Sequence, residues 1–438
     1  MFFKCKILKS SVWILALYGS LTSLSHAIPI TQFEDALQKV QQAQQENNLW
    51  QQRQQIIELQ LKESALWQNP SLNISQDGFG ANEDQELSIG IRQPLDLFGQ
   101  RQLKQHIAQL SEEQNQLQQQ LWSAQLQLIV TYAWSQVVLS EFEKAVYQAQ
   151  AQVSQQTVQS TQQRYQAGSI ALVDYERSQV EAIENQRLYQ QAVLQYERAK
   201  RQLAQLWGDD TVDIQVQPRS RLWPIASEEN VQHYQQQGWI EKLYALNVIQ
   251  AQQQIERFKK QAQPNPILNV GINRNKSATE QPETTLAVGV EVPLQLFNRQ
   301  QYRIPMLQQQ QRALKQQGLE IENHLLDLKG LYQQFTTSTS QISLAAKVQQ
   351  RTLQGFQAGK FSITELQQAT LQLQNTRLSQ LQILKQAWQN ALSAEALSLG
   401  LRYEQISSTE AYTQLYQMTV EQGQKMIDMG AQQDETAT

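Results

Sequence analysis

The chain has 438 residues, 36 of them basic and 40 acidic, with a formal charge of −4. Its single cysteine excludes an internal disulfide and a cysteine-built zinc site, and the mild acidic excess offers nucleic acid no basic surface. Glycine (17) and proline (10) are scarce and gathered at a few places, which points to very long helices rather than a compact enzyme.

Residues 1–27 read as a signal peptide. Lys4, Lys6 and Lys9 precede an apolar core from Val12 to Tyr18, and Ser25-His26-Ala27 is a small-x-small site, so cleavage is expected after about Ala27. The apolar run is well short of the ~20 residues that span a bilayer, which disfavours an uncleaved anchor. Cys5 lies ahead of that core and cannot become a lipidated first residue, so no lipid anchor is expected. The mature chain keeps 36 − 3 = 33 basic residues against 40 acidic ones, a charge of −7. No later apolar stretch is long enough for a transmembrane helix, so a membrane location requires a β-barrel.

The rest of the chain is a tandem repeat, a feature to be sought before any fold. Asn-Pro-Ser-Leu-Asn at 69–73 returns as Asn-Pro-Ile-Leu-Asn at 265–269, an offset of 196. Gln-Pro-Leu-Asp-Leu-Phe at 93–98 returns as Val-Pro-Leu-Gln-Leu-Phe at 292–297, and Arg-Tyr-Gln-Ala-Gly at 164–168 as Gly-Phe-Gln-Ala-Gly at 355–359, with offsets of 199 and 191. The order is kept and the drift is small, as duplication of one unit of 190–200 residues would leave it.

In each unit a leading helix (about 33–67, then about 228–262) stops at Asn-Pro, because the residue before proline avoids the helical region. Two runs then alternate apolar and polar side chains, the strand period. They predict strands over about 71–79 and 86–94, and over about 266–275 and 284–292, each pair a hairpin. Pro94 and Pro293 cannot donate to a sheet ladder and suit strand ends. A long helix follows, over about 100–166 and about 299–356. Leu103, Ile107, Leu110, Leu117, Leu121, Ala124 and Leu128 form a coiled-coil seam in the first, and Leu307, Leu314, Ile321, Leu328, Phe335 and Ile342 in the second. Leu126, Ile129 and Val130 lie off the seam, so more than one face is expected to be buried. Gly168 and Gly359 are natural left-handed helix ends. Return helices over about 171–206 and 362–399 are half the length of the outgoing helix, so a leading and a return helix stacked end to end match it. The first unit thus covers 28–207 and the second 228–400, with 208–227 a linker and 401–438 a C-terminal segment and tail.

Signal peptide, duplicated hairpin, helix pair and Ala-Gly turn together resemble the TolC family of outer-membrane efflux proteins, over nearly the whole mature chain. The resemblance implies a mainly α fold with a membrane β-barrel. Four strands per chain would build a homotrimeric twelve-stranded barrel, continued by an α-helical periplasmic tunnel. It also implies a passive exit duct with no cofactor, set in outer-membrane lipid and docked to a periplasmic adaptor and an inner-membrane RND-type pump. Residues 208–227 and 401–438 would belt the middle of the tunnel. Pro94, Phe98, Pro293 and Phe297 would mark the barrel–tunnel junctions, with the two phenylalanines at the membrane–water interface or packed inside the junction. Within the family, residues 69–101 look most like the outer-membrane component of cobalt–zinc–cadmium (CzcC-type) systems, although Asp96, Phe98, Gln100 and Arg101 keep that pattern in part only. The periplasmic entrance of the family lies at the helix turns. By position, Asp174 and Glu365, each six residues past a turn glycine, become carboxylates facing the pore; their bland alternative is stabilisation of a helix N-terminus. Phe356 stands where the archetype has a gate tyrosine, Phe361 where it has an arginine, and Gln368 where it has a ring aspartate.

No catalytic constellation is expected. His106, His233 and His324 stand alone in polar helical stretches, and no metal-binding or phosphate-binding motif occurs. The same fold would serve drugs or a type I secreted polypeptide as cargo, and a periplasmic coiled-coil scaffold would account for the heptads but not for the hairpins.

Overall fold

A computed structural model describes residues 30–46, 49–79, 84–209, 214–216, 222–224, 227–261, 263, 265–277, 281–292 and 318–407. In the first unit, α1 (Phe33–Glu46) and α2 (Leu49–Ser64) lead to strands β1 (Ser71–Asp77) and β2 (Gln85–Pro94). Helix α3 (Gln100–Gln166) and the return helix α4 (Leu172–Gln205) complete it. In the second unit, α5 (Ser227–Gln237) and α6 (Trp239–Gln261) lead to β3 (Ile267–Lys276) and β4 (Glu283–Glu291), then α7 (Gly318–Gln357), α8 (Ile363–Ser398) and the short α9 (Tyr403–Ser407). The signal peptide, residues 299–317 of the second long helix, Leu307, Leu314 and the tail after 407 lie outside the described residues.

Helix α3 is 67 residues long without a break, about 100 Å at 1.5 Å per residue. The single helix expected over 228–262 is instead two. At Gly238 the backbone turns left-handed (φ 57°), its N–H bonds back to Tyr234 and Gln235, and α6 starts afresh one residue later. The helix expected over 33–67 is likewise two, α1 and α2, and α2 ends at Ser64, where the Ser64 hydroxyl donates to the Leu61 carbonyl (2.7 Å) and competes with the next helical turn.

The main core lies at the middle of α3. Leu128, Ile129, Val130, Val137 and Val138 are fully or almost fully buried there, against Ala36 and Val40 of α1, Leu203 of α4, Leu392 and Ala396 of α8, and Ile406 of α9. Full burial of each such large aliphatic side chain stabilises by roughly 1.5–3 kcal/mol. Leu126, Ile129 and Val130 are all buried off the seam, so α3 does bury more than one face here. Of the seam residues, Leu103, Leu110, Ala124, Leu128, Ile321 and Leu328 are buried, while Ile107, Leu117, Leu121, Phe335 and Ile342 are half-buried. Toward the Gly168 end the buried positions of α3 turn small and polar. Ser154, Thr157 and Thr161 face α4, and the hydroxyls of Thr161 and Ser178 meet at 2.8 Å.

Candidate functional site: the sheet face and the helix turns

The four strands form one antiparallel sheet in the order β1-β2-β3-β4, so the hairpins of the two units pair directly and β1 and β4 are the edges. The register lines up the alternation across all four strands. Leu72, Ile91, Val270 and Val288 form one row and Ile74, Ile89, Ile272 and Leu286 the next. The opposite face carries rows of Asn73, Gly90, Gly271 and Ala287, then Ser75, Ser88, Asn273 and Thr285. On that polar face Ser88 Oγ donates to Asn273 Oδ1 (2.8 Å), and Arg92 is ion-paired with Glu291 across β3. Gly271 is required by close approach: a Cβ there would lie 2.7 Å from the Ile89 carbonyl oxygen and 2.9 Å from the Gly90 Cα. Among the described residues nothing covers the apolar face. Its side chains, from Ile89 at 36% to Leu286 at 73%, are exposed.

At the first junction Pro94 closes β2 and Phe98 is 37% exposed. Between them Asp96 accepts the first free N–H groups of α3, from Gln100 (2.7 Å) and Arg101 (2.8 Å), which fixes the strand-to-helix bend. Arg101 lies over the Trp67 ring (4.4 Å) and donates to the Ala65 carbonyl (3.3 Å), tying the end of the leading segment to the start of α3. The equivalent Pro293 and Phe297 lie outside the described residues.

At the other end of the helices the two turns share one hydrogen-bond pattern. Gly168 (φ 70°) donates to Tyr165 and Ser169 to Arg164, and Gly359 (φ 75°) donates to Phe356 and Lys360 to Gly355. These are paired 5→2 and 6→1 bonds around a left-handed residue, the reason glycine is needed. Asp174 is half-buried in the first turn of α4, 3.9 Å from Arg177. Glu365 is exposed, and its carboxylate is taken up locally. It accepts from the Ser362 N–H (2.7 Å) and hydroxyl (2.9 Å), while Ser362 Oγ accepts from the Glu365 N–H (3.2 Å). That capping box holds the Glu365 carboxyl below its usual range, chiefly through the Ser362 backbone donor. Gln368 is exposed one turn on.

Phe356 is fully buried, packed with Leu353, Ile363 and Leu366, so its ring touches no solvent in this conformation. The Arg164 guanidinium lies 4.6 Å over that ring and donates to the Phe356 carbonyl (3.2 Å), joining the two units at their tips. Phe361 is half-exposed and folds over Gly355, where a Cβ would collide with the ring. The sequence marks Asp96 only as part of the subfamily pattern, not as a helix cap, and gives Arg164 no role. Asp96, four residues before a helix start, carries a weak capping signal; Arg164 carries none. Among the described residues no three His, Cys, Asp or Glu side chains converge as metal ligands, and no helix is long and apolar enough to cross a membrane.

Known proteins bear the same architecture. Residues 67–209, the first hairpin with its helix pair, match the family model described as outer membrane efflux protein. Solved structures share the fold over most of the chain. They include CusC, from a study of its transmembrane channel formation, with 16% identity, TM-score 0.64 and coverage of 86% of this chain and 96% of that one. The outer membrane protein VceC of Vibrio cholerae aligns with 15% identity, TM-score 0.59 and coverage of 85% and 97%. The Campylobacter jejuni outer membrane channel CmeC aligns with 12% identity, TM-score 0.62 and coverage of 94% and 97%. A comparison with curated proteins found no match. The fold is therefore that of these outer-membrane channels, mostly helical with four strands per chain.

Proposed function

We propose that three copies of this chain close a twelve-stranded barrel in the outer membrane and continue it as a helical tunnel in the periplasm. The assembly is a passive exit duct of a tripartite efflux system, docked to a periplasmic adaptor and an inner-membrane RND-type pump. The observation that carries this reading is the sheet, whose apolar rows are uncovered while its two edge strands each pair on one side only. Four strands are too few to close a channel, so neighbouring copies supply the rest, β4 of one against β1 of the next. Strands of 7–10 residues with apolar side chains outward fit a tilted membrane wall. Exposed Val180 and Ile183 on α4 and Leu344 and Val348 on α7 support a head-to-tail ring in the tunnel as well. The number three rests on the family resemblance.

Export by residues 1–27 and cleavage after about Ala27 belong to this reading. For cargo we propose divalent heavy-metal cations, on the likeness of residues 69–101 to cobalt–zinc–cadmium systems. Asp174 and Glu365 would add carboxylates at the entrance that favour cations. A passive duct needs no resident metal and no catalytic group.

The assembly is tested by extracting the protein from outer membranes and comparing unheated with heated samples by electrophoresis and native mass. A heat-sensitive species of three copies is expected. A monomer in the soluble periplasmic fraction would overturn the duct in favour of a coiled-coil scaffold. Cargo is tested by growth of a deletion strain on graded zinc, cobalt, cadmium, nickel and copper beside a dye and detergent panel. Selective metal sensitivity rescued by the wild-type gene is expected; broad drug sensitivity instead would replace the metal assignment.

A further inference from the structure

The two return helices end on matching left-handed glycines, Gly208 and Gly400, 400 − 208 = 192 positions apart. In that frame buried Ala199 and Ala204 match buried Ala391 and Ala396, and Leu203 matches Glu395 (395 − 192 = 203). Leu203 is 0% exposed and Glu395 is 5% exposed. One position is thus core in both units, and in the second unit it carries an ionisable group.

Glu395 faces α5. Asn230 Nδ2 donates to Glu395 Oε2 at 3.1 Å. The Ser227 hydroxyl, which donates to the Ala391 carbonyl at 3.2 Å, also lies within reach of the carboxylate. Next to this pair along the chain, Val231 and Ala394 form a buried apolar cluster with Ile321, and Leu325 and Leu397 pack on it. Of the titratable groups on the surrounding elements, Glu229 of α5 and Glu322 and Asp327 of α7 are exposed. Tyr234 of α5 has its phenol pushed up to about 12, by burial first and the Glu395 charge second. His233 meets the Tyr234 and Trp239 rings edge to face. His324 of α7 is tied to Asn390 Oδ1 at 2.8 Å. Glu228 of α5 and Lys329 of α7 pair at 3.4 Å through exposed side chains. Among the described residues no cation forms an ion pair with Glu395.

We propose that Glu395 is a protonation-controlled clasp: as the neutral acid it seats α5 against α7 and α8, and loss of its proton loosens α5. The clasp is independent of the channel reading. A carboxylate with an amide and a hydroxyl donor in an apolar pocket recovers only part of the solvation it gives up, so its charged form is the costly one. Burial raises its pKa from 4.5 to about 7 against the opposing pull of the Ser227 and Asn230 hydrogen bonds. Because the seated value is the raised one, seating is tightest below about pH 4.5, weakens as pH climbs to about 7, and levels off above that.

The test uses the full-length protein in detergent with Cys5→Ser and Val231→Cys, since Val231 is 0% exposed on the inner side of α5. The rate of thiol labelling is measured from about pH 5 to about pH 8, relative to a free small thiol at each pH. The expected result is a rise of a few tens-fold between about pH 5 and about pH 7, then a plateau. Adding Glu395→Gln or Glu395→Leu should leave one slow rate at every pH, the leucine copying the first unit. A flat profile in the Glu395 protein, or an unchanged rise in either variant that keeps its helical circular dichroism, would overturn the clasp. Should both variants lose that dichroism, hydrogen exchange of α5 in the wild-type chain decides, and protection factors that do not change with pH overturn it.

Discussion

At Gly168 and Gly359 the chain reverses with the same two backbone bonds, yet the helix that follows starts differently in each unit. Ala171 precedes α4 in the extended conformation of an N-cap but has no side chain to offer, and Asp174 leans toward Arg177 instead. Ser362 stands at the matching place before α8 and closes a full capping box with Glu365. The same divergence recurs at the far end of the return helices, where, counted back from Gly208 and Gly400, Leu203 in one unit answers to Glu395 in the other. Duplication has kept the backbone geometry that a chain reversal demands and released the side chains around it. The two units are therefore internal controls for each other, and exchanging their residues measures what each side chain contributes.

The largest effect is expected from placing the carboxylate in the other core. Leu203→Glu sets an acid in the main core and should cost more than about 3 kcal/mol, read as loss of a cooperative thermal transition by circular dichroism. The reverse exchange, Glu395→Leu, should stay within about 1 kcal/mol of wild type or stabilise. Next in size is the pH dependence. Glu395 rises from 4.5 to about 7 on folding, so its contribution is greatest below about pH 4.5 and about 3 kcal/mol is lost by about pH 7. The difference between wild-type and Glu395→Gln melting curves across that window isolates it. Gly168→Ala and Gly359→Ala should each cost about 1 kcal/mol, and nearly the same amount, because the left-handed conformation is shared. An inequality in their melting shifts would show that the turns differ in more than side chains. The smallest expected pair is Ser362→Ala, losing about 1 kcal/mol, and Ala171→Ser, gaining up to about that much, both by the same melt.

Much of this architecture could be read before any coordinates, for physical reasons that particular residues make plain. Alternation such as Leu72-Asn73-Ile74 or Leu268-Asn269-Val270 has one regular solution, and the absence of glycine and proline between Gln100 and Gln166 leaves a helix nothing to break on. The break at Gly238 was not legible, because one glycine in a helix-prone stretch costs only about 1 kcal/mol and tertiary packing decides whether the helix continues. By the resemblance Phe356 stands at a gate position, yet its side chain is fully buried. Leu353, Ile363 and Leu366 pack on it from nearby in sequence, but the Arg164 guanidinium over its ring comes from 192 residues away, which no local pattern encodes. Ser362 and Glu365 did carry a local signal, Ser-x-x-Glu at a helix start, and that signal accounts for where the carboxylate points. Glu395 reads as an ordinary solvated helix residue until it is set beside Leu203.

The uncovered sheet has a consequence for how the protein is made. A lone, freshly folded copy in water presents two apolar rows and two half-paired strands, a surface that recruits any neighbour with a free strand, correct or not. On the proposed barrel, that face would need an escort such as a holding chaperone until sister copies and lipid take it over.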